Sequence, residues 1–196
     1  AATQVEVRMS GSLLPMARRL EPGLFELVTP LPASADLPDY RLRVTFSATH
    51  VVEIDDPYRY GQVFSSFDLH LFGEGTLHRA FDKLGAHRRE VDGRTGVHFA
   101  VWAPNAEQVS VIGDFNGWNA RAHPLRNLGA SGIWETFVPG VCDGQRYKYE
   151  IRSRVDGAQL QKSDPYGFFF ESDASGAAIV WDLSRYGWRD QRWMED

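Results

Sequence analysis

Side chains alternate between two faces at positions 97–102, where Phe99 and Val101 point to one side of an extended chain and His98 and Trp102 to the other. This two-residue period is typical of a strand with one buried face. The Ala-Pro-Asn sequence at 103–105 interrupts the pattern, because proline has no amide hydrogen to donate to a sheet and favours turns. The β-branched run at 109–112 then predicts a second strand.

A turn-forming cluster, Gly-Asp-Phe-Asn-Gly-Trp, follows this second strand at 113–118. It places two aromatic residues, Phe115 and Trp118, among small polar residues, where a packed core has no evident use for them. Aromatic side chains in such a turn are candidate contacts for a partner outside the chain.

Alternation elsewhere predicts an all-β protein. Strands are expected at 4–8, 24–28 and 40–46, with Pro-rich turns at 30–38 and a strand entry through Pro22, which together make a β-sandwich module. Further strands are expected at 132–138, 145–152, 159–162 and 177–181, with an Asp-Gly hairpin turn at 156–157. Residues 62–90 instead carry apolar residues at three- and four-residue spacing, which favours two short helical turns packed on the modules.

An internal repeat relates the two β-rich parts. The Asp-Pro-Tyr sequence at Asp56 recurs 108 residues later at Asp164, and the strand that begins at Tyr40 aligns with the one that begins at Tyr147. This order predicts two tandem immunoglobulin-like β-sandwiches of common origin; a chance likeness in strand and turn rhythm is the alternative. The first copy has no counterpart of the Trp118 turn, so we expect it to be structural and the second copy to be functional.

The predicted organisation has four regions. These are an N-terminal β-sandwich at 1–61, a linker with short helices at 62–90, a second β-sandwich at 91–185 and a tail at 186–196. The chain opens on Ala-Ala-Thr rather than Met, close to its first strand, so we expect the first module to be truncated at its start.

Composition limits the kinds of partner. The chain has 196 residues, and its formal net charge of −5 argues against nucleic acid and anionic membranes, which bind basic surfaces. The single cysteine, Cys142, cannot form an internal disulfide, and the sequence contains neither a signal-like segment nor an apolar run long enough to span a bilayer. We therefore expect a cytoplasmic protein.

Several motifs, all in one order, resemble a known family. FAVWAPNAEQVSVIGDFNGWN at 99–119, SGIWETFVPG at 131–140, YKYEI at 147–151 and KSDPYGF at 162–168 are similar to the family 48 carbohydrate-binding module of bacterial 1,4-α-glucan (glycogen) branching enzymes, in glycoside hydrolase family 13. DLHLFGEGTLHRAFDKLGAH at 68–87 resembles the segment that leads into this module in branching enzymes. The resemblance covers nearly the whole chain.

The resemblance implies an accessory region that binds α-glucan or glycogen. Its parent enzyme would cut an α-1,4 bond and rejoin the freed chain through an α-1,6 bond during glycogen biosynthesis. The (β/α)8 barrel that carries the catalytic residues of this family has no counterpart here, and the tail resembles the junction to that barrel. We therefore expect the barrel as a partner in cis, and no catalytic residue, cofactor or metal in this chain.

Motif matching selects the residues that would touch a sugar. Trp118 matches the family's stacking tryptophan, Asn116 accompanies it in the turn, and Lys148 matches a donor to sugar hydroxyls. The alternatives are that Trp118 packs as a lid over the sandwich end and that Lys148 is an ordinary solvated lysine.

Two further positions depart from the family's pattern. Gln161 stands where relatives carry a second stacking tryptophan, and Ala177 stands near the place of a sugar-binding asparagine. Trp134 would replace the missing aromatic if it faces outward, although Ile133 and Trp134 alternate and either suits the core.

Two other functions are alternatives to glucan binding. The first is a purely structural module, without significant sugar affinity, that braces the barrel and influences which chain lengths are transferred; Gln161 and Ala177 favour it. The second, a regulatory scaffold subunit, is disfavoured by the segment at 68–87 and by the tail. The histidines are scattered without metal-ligand spacing, and the turn at 113–117 lacks the Lys-Ser/Thr of a phosphate-binding loop.

Overall fold

The computed structural model describes residues 2–19, 23–30, 39–56, 58–172, 176–185, 187, 189 and 191–194. The chain divides into two compact units, Ala1–Arg59 and Tyr60–Asp196. The strand entry predicted at Pro22, most of the Pro-rich turns at 30–38 and part of the tail at 186–196 lie outside the described residues. The finer sequence-based division into four regions stays a prediction.

The first unit is built from antiparallel strands. They are β1 (Gln4–Met9), β2 (Ser12–Pro15), β3 (Ala17–Arg18), β4 (Phe25–Glu26), β5 (Tyr40–Ser47) and β6 (His50–Ile54). Four of them form a sheet in the order β2-β1-β5-β6, while β3 pairs with β4. Alternation along β1 and β5 buries Val5, Val7 and Val44. A tight turn through Ser10 and Gly11, both with positive φ, joins β1 to β2.

The second unit begins with a helical segment and continues as strands. Its elements are α1 (Ser66–Gly73), β7 (Gly85–Val91), β8 (Arg94–Trp102), β9 (Ala106–Gly113), β10 (Arg126–Asn127), β11 (Ile133–Pro139), β12 (Arg146–Ser153), β13 (Gln159–Lys162), β14 (Phe169–Phe170), β15 (Ala178–Ile179) and α2 (Gln191–Met194). Short 3-10 turns lie at Ala80–Asp82, Asp114–Asn116, Gly129–Ser131 and Leu183–Arg185.

Two sheets of the second unit face each other. One has the order β10-β11-β8-β7; the other has the order β13-β12-β15-β14, with β9 also paired to β12. Phe99 from the first sheet and Tyr147 from the second meet edge to face in the core between them, with ring centroids 5.0 Å apart. The strand pairs of the described residues are antiparallel, and the predicted all-β class is confirmed.

Strand β8 is buried on both faces, which differs from the prediction of one buried face. Its outer face carries Ala100, which packs with Phe64 and Leu84 from the segment around α1. The capping box of Ser65 and Asp68 fixes the start of α1, because the Ser65 hydroxyl accepts the Asp68 N–H and the Asp68 carboxylate accepts the Ser65 N–H. The predicted helical segment is therefore part of the core of this unit.

A buried carboxylate anchors the same segment. Glu135 is 3% exposed and accepts the N–H groups of Val63 and Phe64, at 3.1 and 3.4 Å. His98 donates to the same carboxylate from Nε2 at 3.0 Å. Burial lowers the pKa of His98, although Glu135 acts in the opposite direction. One side chain thus holds residues 63 and 64 on the sheet.

Candidate functional site

The turn after β9 is held by the amide side chain of Asn116. Its Oδ1 accepts the Gly113 N–H at 2.9 Å, while its Nδ2 donates to the Val111 carbonyl at 2.9 Å and lies 2.9 Å from Nδ1 of His123. These contacts occupy the amide within the protein. The structure therefore corrects the prediction for Asn116: it shapes the turn instead of presenting its side chain to a sugar.

Trp118 ends the turn in an unusual backbone conformation. It is a non-glycine residue with a φ of 61°, directly after Gly117, which has the same φ. The left-handed conformation costs a non-glycine residue about 1–2 kcal/mol, because Cβ approaches the following carbonyl. The Trp118 N–H donates to the Gly113 carbonyl at 3.0 Å, which closes the turn. The indole is 36% exposed, so part of it remains accessible at the edge of the sandwich.

An acidic residue of the turn ties it to the start of β12. Arg146 donates to Asp114 through Nε at 3.0 Å, through Nη2 at 2.9 Å and through its backbone N–H at 2.9 Å, and it also contacts Glu171 at 3.2 Å. Hydrogen bonding from Arg146 is the main reason that the pKa of Asp114 is lowered; burial opposes it, and the Trp118 side chain adds a further hydrogen bond. Asp114 therefore ties the turn both to β12 and to its own tryptophan.

Close packing at Gly113 brings the turn against β12. A Cβ at this position would lie 2.2 Å from the Arg146 carbonyl oxygen and 2.8 Å from the Phe115 ring. A side chain of any other residue would displace the turn. Glycine is required here by this close approach, because its φ of 178° is ordinary extended backbone.

The two aromatic residues of the turn have different environments. Phe115 packs against the core, with its ring stacked on Phe99 at a centroid distance of 5.6 Å. The expectation that both aromatics are available to a partner is therefore corrected for Phe115. Trp118 alone of the two has an exposed side chain.

Lys148 and Gln161 lie on the outward face of the second sheet. Tyr147 and Tyr149 of β12 point into the core, so Lys148 points outward between them. Gln161 on β13 lies opposite Glu150, and its Nε2 donates to the Glu150 carboxylate at 3.3 Å. Lys148 and Gln161 are therefore diagonal neighbours on adjacent strands, with Cα atoms about 7–8 Å apart.

Trp134 does not belong to this face. It lies opposite Val101 in the register of β11 and β8, on the side that faces the core, and it is 6% exposed. Its Nε1 donates to the Ala103 carbonyl at 3.0 Å. The prediction of Trp134 as a substitute stacking residue is therefore wrong, because the register places both Ile133 and Trp134 in buried positions. Ala177, at 1% exposed, is buried as well.

Sequence patterns alone do not indicate the roles of Arg146 and Glu171. Asp114 and Arg146 are 32 residues apart, and their pairing depends on the register of β9 with β12. No group of three or more His, Cys, Asp or Glu side chains among the described residues is arranged to hold a metal ion. No helix found in the described ranges has the length and apolar character needed to cross a bilayer.

Comparison with known proteins identifies similar chains. The family described as carbohydrate-binding module 48 (isoamylase N-terminal domain) matches residues 83–167. A 1,4-alpha-glucan branching enzyme GlgB from Rubrobacter xylanophilus is 54% identical over 156 residues, which are 80% of this chain and 21% of that protein. Another, from Thermosynechococcus vestitus, is 48% identical over 182 residues, which are 92% of this chain and 23% of that protein.

Among solved structures, a pullulanase from Bacillus acidopullulyticus is 18% identical, with 80% of this chain and 17% of that chain covered and a TM-score of 0.44. This chain spans about a fifth to a quarter of the length of the curated relatives it matches.

Proposed function

We propose that this chain binds an α-glucan weakly beside Trp118, because residues 83–167 match the family described as carbohydrate-binding module 48 and the chain is similar to part of bacterial 1,4-alpha-glucan branching enzymes. The exposed indole, held in a strained turn, is the observation that carries the proposal. Strained backbone persists where the surrounding structure fixes it, and it is common at ligand contacts.

The chemistry of this face suits a sugar. The apolar side of a glucose ring packs on an indole, and polar groups around it bind the hydroxyls. Lys148 would supply a charged donor, and Gln161 would supply both a donor and an acceptor. We include these two residues in the proposed site, and exclude Asn116 and Trp134 because their side chains are used inside the protein.

The expected affinity is low. Covering one face of an indole removes on the order of 80–100 Å² from water, worth roughly 2–2.5 kcal/mol at about 25 cal/mol per Å². Exposed hydrogen bonds add about 0.5–1.5 kcal/mol each, and association entropy opposes binding by several kcal/mol. A dissociation constant in the high micromolar to millimolar range follows.

We place this chain within a longer branching enzyme. In that protein, α-1,4 glucan segments would be transferred to form α-1,6 branches of glycogen, and the catalytic barrel would be the partner in cis. Weak binding still helps such an enzyme, because a tethered module raises the effective concentration of a long polymer near the active site. The chain alone is then expected to show no branching activity, and its location is expected to be the cytoplasm.

Titration with maltoheptaose, followed by tryptophan fluorescence and amide chemical shifts, tests the sugar site. We expect saturable shifts in residues around Trp118 and their loss in Trp118→Ala. Trp102→Ala is the matched control, because Trp102 is also exposed, at 52%, and lies on the other sheet. Equal binding by wild type and Trp118→Ala would contradict the proposal.

A structural role without sugar affinity is the second candidate function. It is favoured by the hydrogen bond between the Trp118 side chain and Asp114, which gives the indole a role inside the turn. In that case the unit would brace the barrel and influence the transferred chain length. If neither maltoheptaose nor glycogen changes the tryptophan fluorescence or the amide chemical shifts of the wild-type chain, the structural role is favoured.

A further inference from the structure

A polar groove of about 390 Å³ continues the outward face of the second sheet beyond Lys148. Its floor combines three adjacent strands, with Gln108 and Ser110 from β9, Glu150 and Arg152 from β12, and Gln159 from β13. One wall is the segment 119–121, which follows Trp118 directly. The volume falls within the range of small-molecule sites.

The register of the strands explains how these side chains come together. Ser110 lies opposite Glu150, and Gln108 lies opposite Arg152, across β9 and β12. Gln159 lies opposite Arg152 on the other edge of β12. Directly opposed residues share one face of an antiparallel sheet, so the polar side chains form rows across it. From Lys148 to Arg152 the face extends about 14 Å at ~3.4 Å per residue, which is longer than one pyranose ring.

The wall places the groove beside the proposed sugar contact. The Arg121 N–H donates to Asn119 Oδ1 at 3.0 Å, which shapes the wall, and Pro124 bridges to Ser110 at the edge of β9. Asn119, which lines the groove, directly follows Trp118 in the chain, so the groove begins within one residue of the proposed sugar contact.

The lining favours a polar ligand such as a polyol over an apolar one. Two arginines and a glutamate line the groove together with neutral amides, so an apolar peptide would find little apolar surface there. Glutamine, asparagine, arginine and glutamate together offer donors and acceptors in several directions, which matches the hydroxyls of a sugar. Arg152 also pairs with Glu107 at 3.1 Å, which limits the freedom of its side chain.

We propose that this groove is a second glucan subsite, which binds the sugar units that follow the one on Trp118 in the same α-glucan chain. This inference rests on the proposed function, since it extends the same site. In this chain, polar side chains of the groove would give the preference for longer oligosaccharides. In relatives with a second stacking tryptophan at the position of Gln161, an aromatic ring would do so instead.

Chain-length dependence of binding tests the subsite. The chain is titrated with maltotriose and with maltoheptaose, by amide chemical shifts, as wild type and as the double variant Gln108→Ala/Gln159→Ala. We expect the double variant to bind maltoheptaose about 5- to 10-fold more weakly and to leave maltotriose binding unchanged, because two hydrogen bonds are lost only with the longer ligand. Lys162→Ala is the control, since Lys162 lies on the same strand as Gln159 but opposite Tyr149, on the alternate face.

The outcomes separate the two proposals. If wild type binds both sugars and the double variant keeps the wild-type ratio of the two affinities, the proposed subsite in the groove is wrong. The proposed sugar contact at Trp118 is then unaffected. If wild type binds neither sugar, both proposals are wrong. Arg121→Ala is a second variant, in the wall and outside the strands. The proposal requires that it weaken the binding of maltoheptaose but not that of maltotriose. It provides the test if the double variant does not fold.

Discussion

The phenol of Tyr147 donates a hydrogen bond of 2.7 Å to the buried carboxyl group of Asp164. In the first unit, Tyr40 donates to Asp56 at the same distance of 2.7 Å. In both units the second carboxyl oxygen accepts the N–H two residues later, at 2.8 Å, from Tyr58 and Tyr166 respectively. The repeated Asp-Pro-Tyr sequence therefore corresponds to one repeated contact between a strand and the turn that follows it, which supports a common origin of the two units.

Removing the carboxyl group of Asp164 should destabilise the second unit more than removing that of Asp56 destabilises the first. In the second unit Tyr149 also donates to Asp164, at 3.2 Å, and both tyrosines are fully buried. Asp164→Ala leaves the buried Tyr147 hydroxyl without its acceptor and leaves the Tyr149 hydroxyl only the Ala100 carbonyl, 3.4 Å away, so we expect the unit to lose about 2–3 kcal/mol of unfolding free energy. Asp56→Ala should cost about 1 kcal/mol, because Tyr40 is only half-buried. Urea unfolding followed by amide signals of each unit measures both losses; similar losses would contradict the argument.

Glu135→Ala should release the segment around residues 63 and 64. It removes the acceptor of two backbone N–H groups and of His98, and each buried donor left without an acceptor costs about 1–3 kcal/mol. We expect amide hydrogen exchange of Val63 and Phe64 to accelerate before that of the strands. Glu107→Ala is the control, since its exposed pair with Arg152 contributes about 0–1 kcal/mol. Unchanged exchange at both amides would show that the apolar contacts alone hold the segment.

Acid should loosen the Trp118 turn. The pKa of Asp114 is lower in the folded protein than its usual value of 3.8, mainly because of Arg146. A carboxyl group with a lowered pKa contributes stability above its unfolded pKa and loses that contribution as the pH falls through its folded pKa. We therefore expect a local transition below about pH 4.

The Trp118 indole signal in proton NMR reports this transition, while the buried Trp134 indole reports the core. Asp114→Asn should abolish the pH dependence at Trp118. The pKa of Asp164 is raised by burial, so its protonation works in the opposite direction and favours the folded state in acid. Simultaneous change of both indole signals would indicate general unfolding and would contradict a local effect.

Gln161→Trp should strengthen glucan binding. Gln161 is exposed and diagonal to Lys148, so an indole there would cover a second sugar ring. Burial of on the order of 80 Å² predicts roughly a 10-fold gain in affinity for maltoheptaose after the entropy of ordering the side chain is subtracted. Lys162→Trp is the matched control, because its neighbour on β12 is the inward-facing Tyr149. Equal gains from both variants would indicate nonspecific stacking.

Local patterns predict β8, β9, β11, β12 and β13 of the second unit, but they do not predict what covers these strands. They also miss β7 (Gly85–Val91), most of which lies in the segment at 62–90 for which short helical turns are expected. Alternation predicts β8 and β12 because a strand presents successive side chains to opposite faces. The same alternation made one face of β8 look exposed, since Phe64, which covers Ala100, comes from a distant part of the sequence.

The candidate site shows the same limit. Trp118 and Lys148 follow from their motifs, whereas the contact of Asp114 with Arg146 depends on strand register and carries no local signal. Trp134 was misplaced because alternation determines that two neighbouring residues face opposite ways, but it does not determine whether each face is covered.

The buried outer face of β8 has a practical consequence for anyone who prepares the second unit alone. The family match begins at residue 83, but the compact unit begins at Tyr60. A shortened protein that starts at the family boundary would leave Ala100, Ile133 and Leu128 without Phe64, and would also deprive the Glu135 carboxylate of its backbone donors. Such a fragment is expected to aggregate through this exposed apolar surface. A fragment that starts at Tyr60 keeps the segment that covers it.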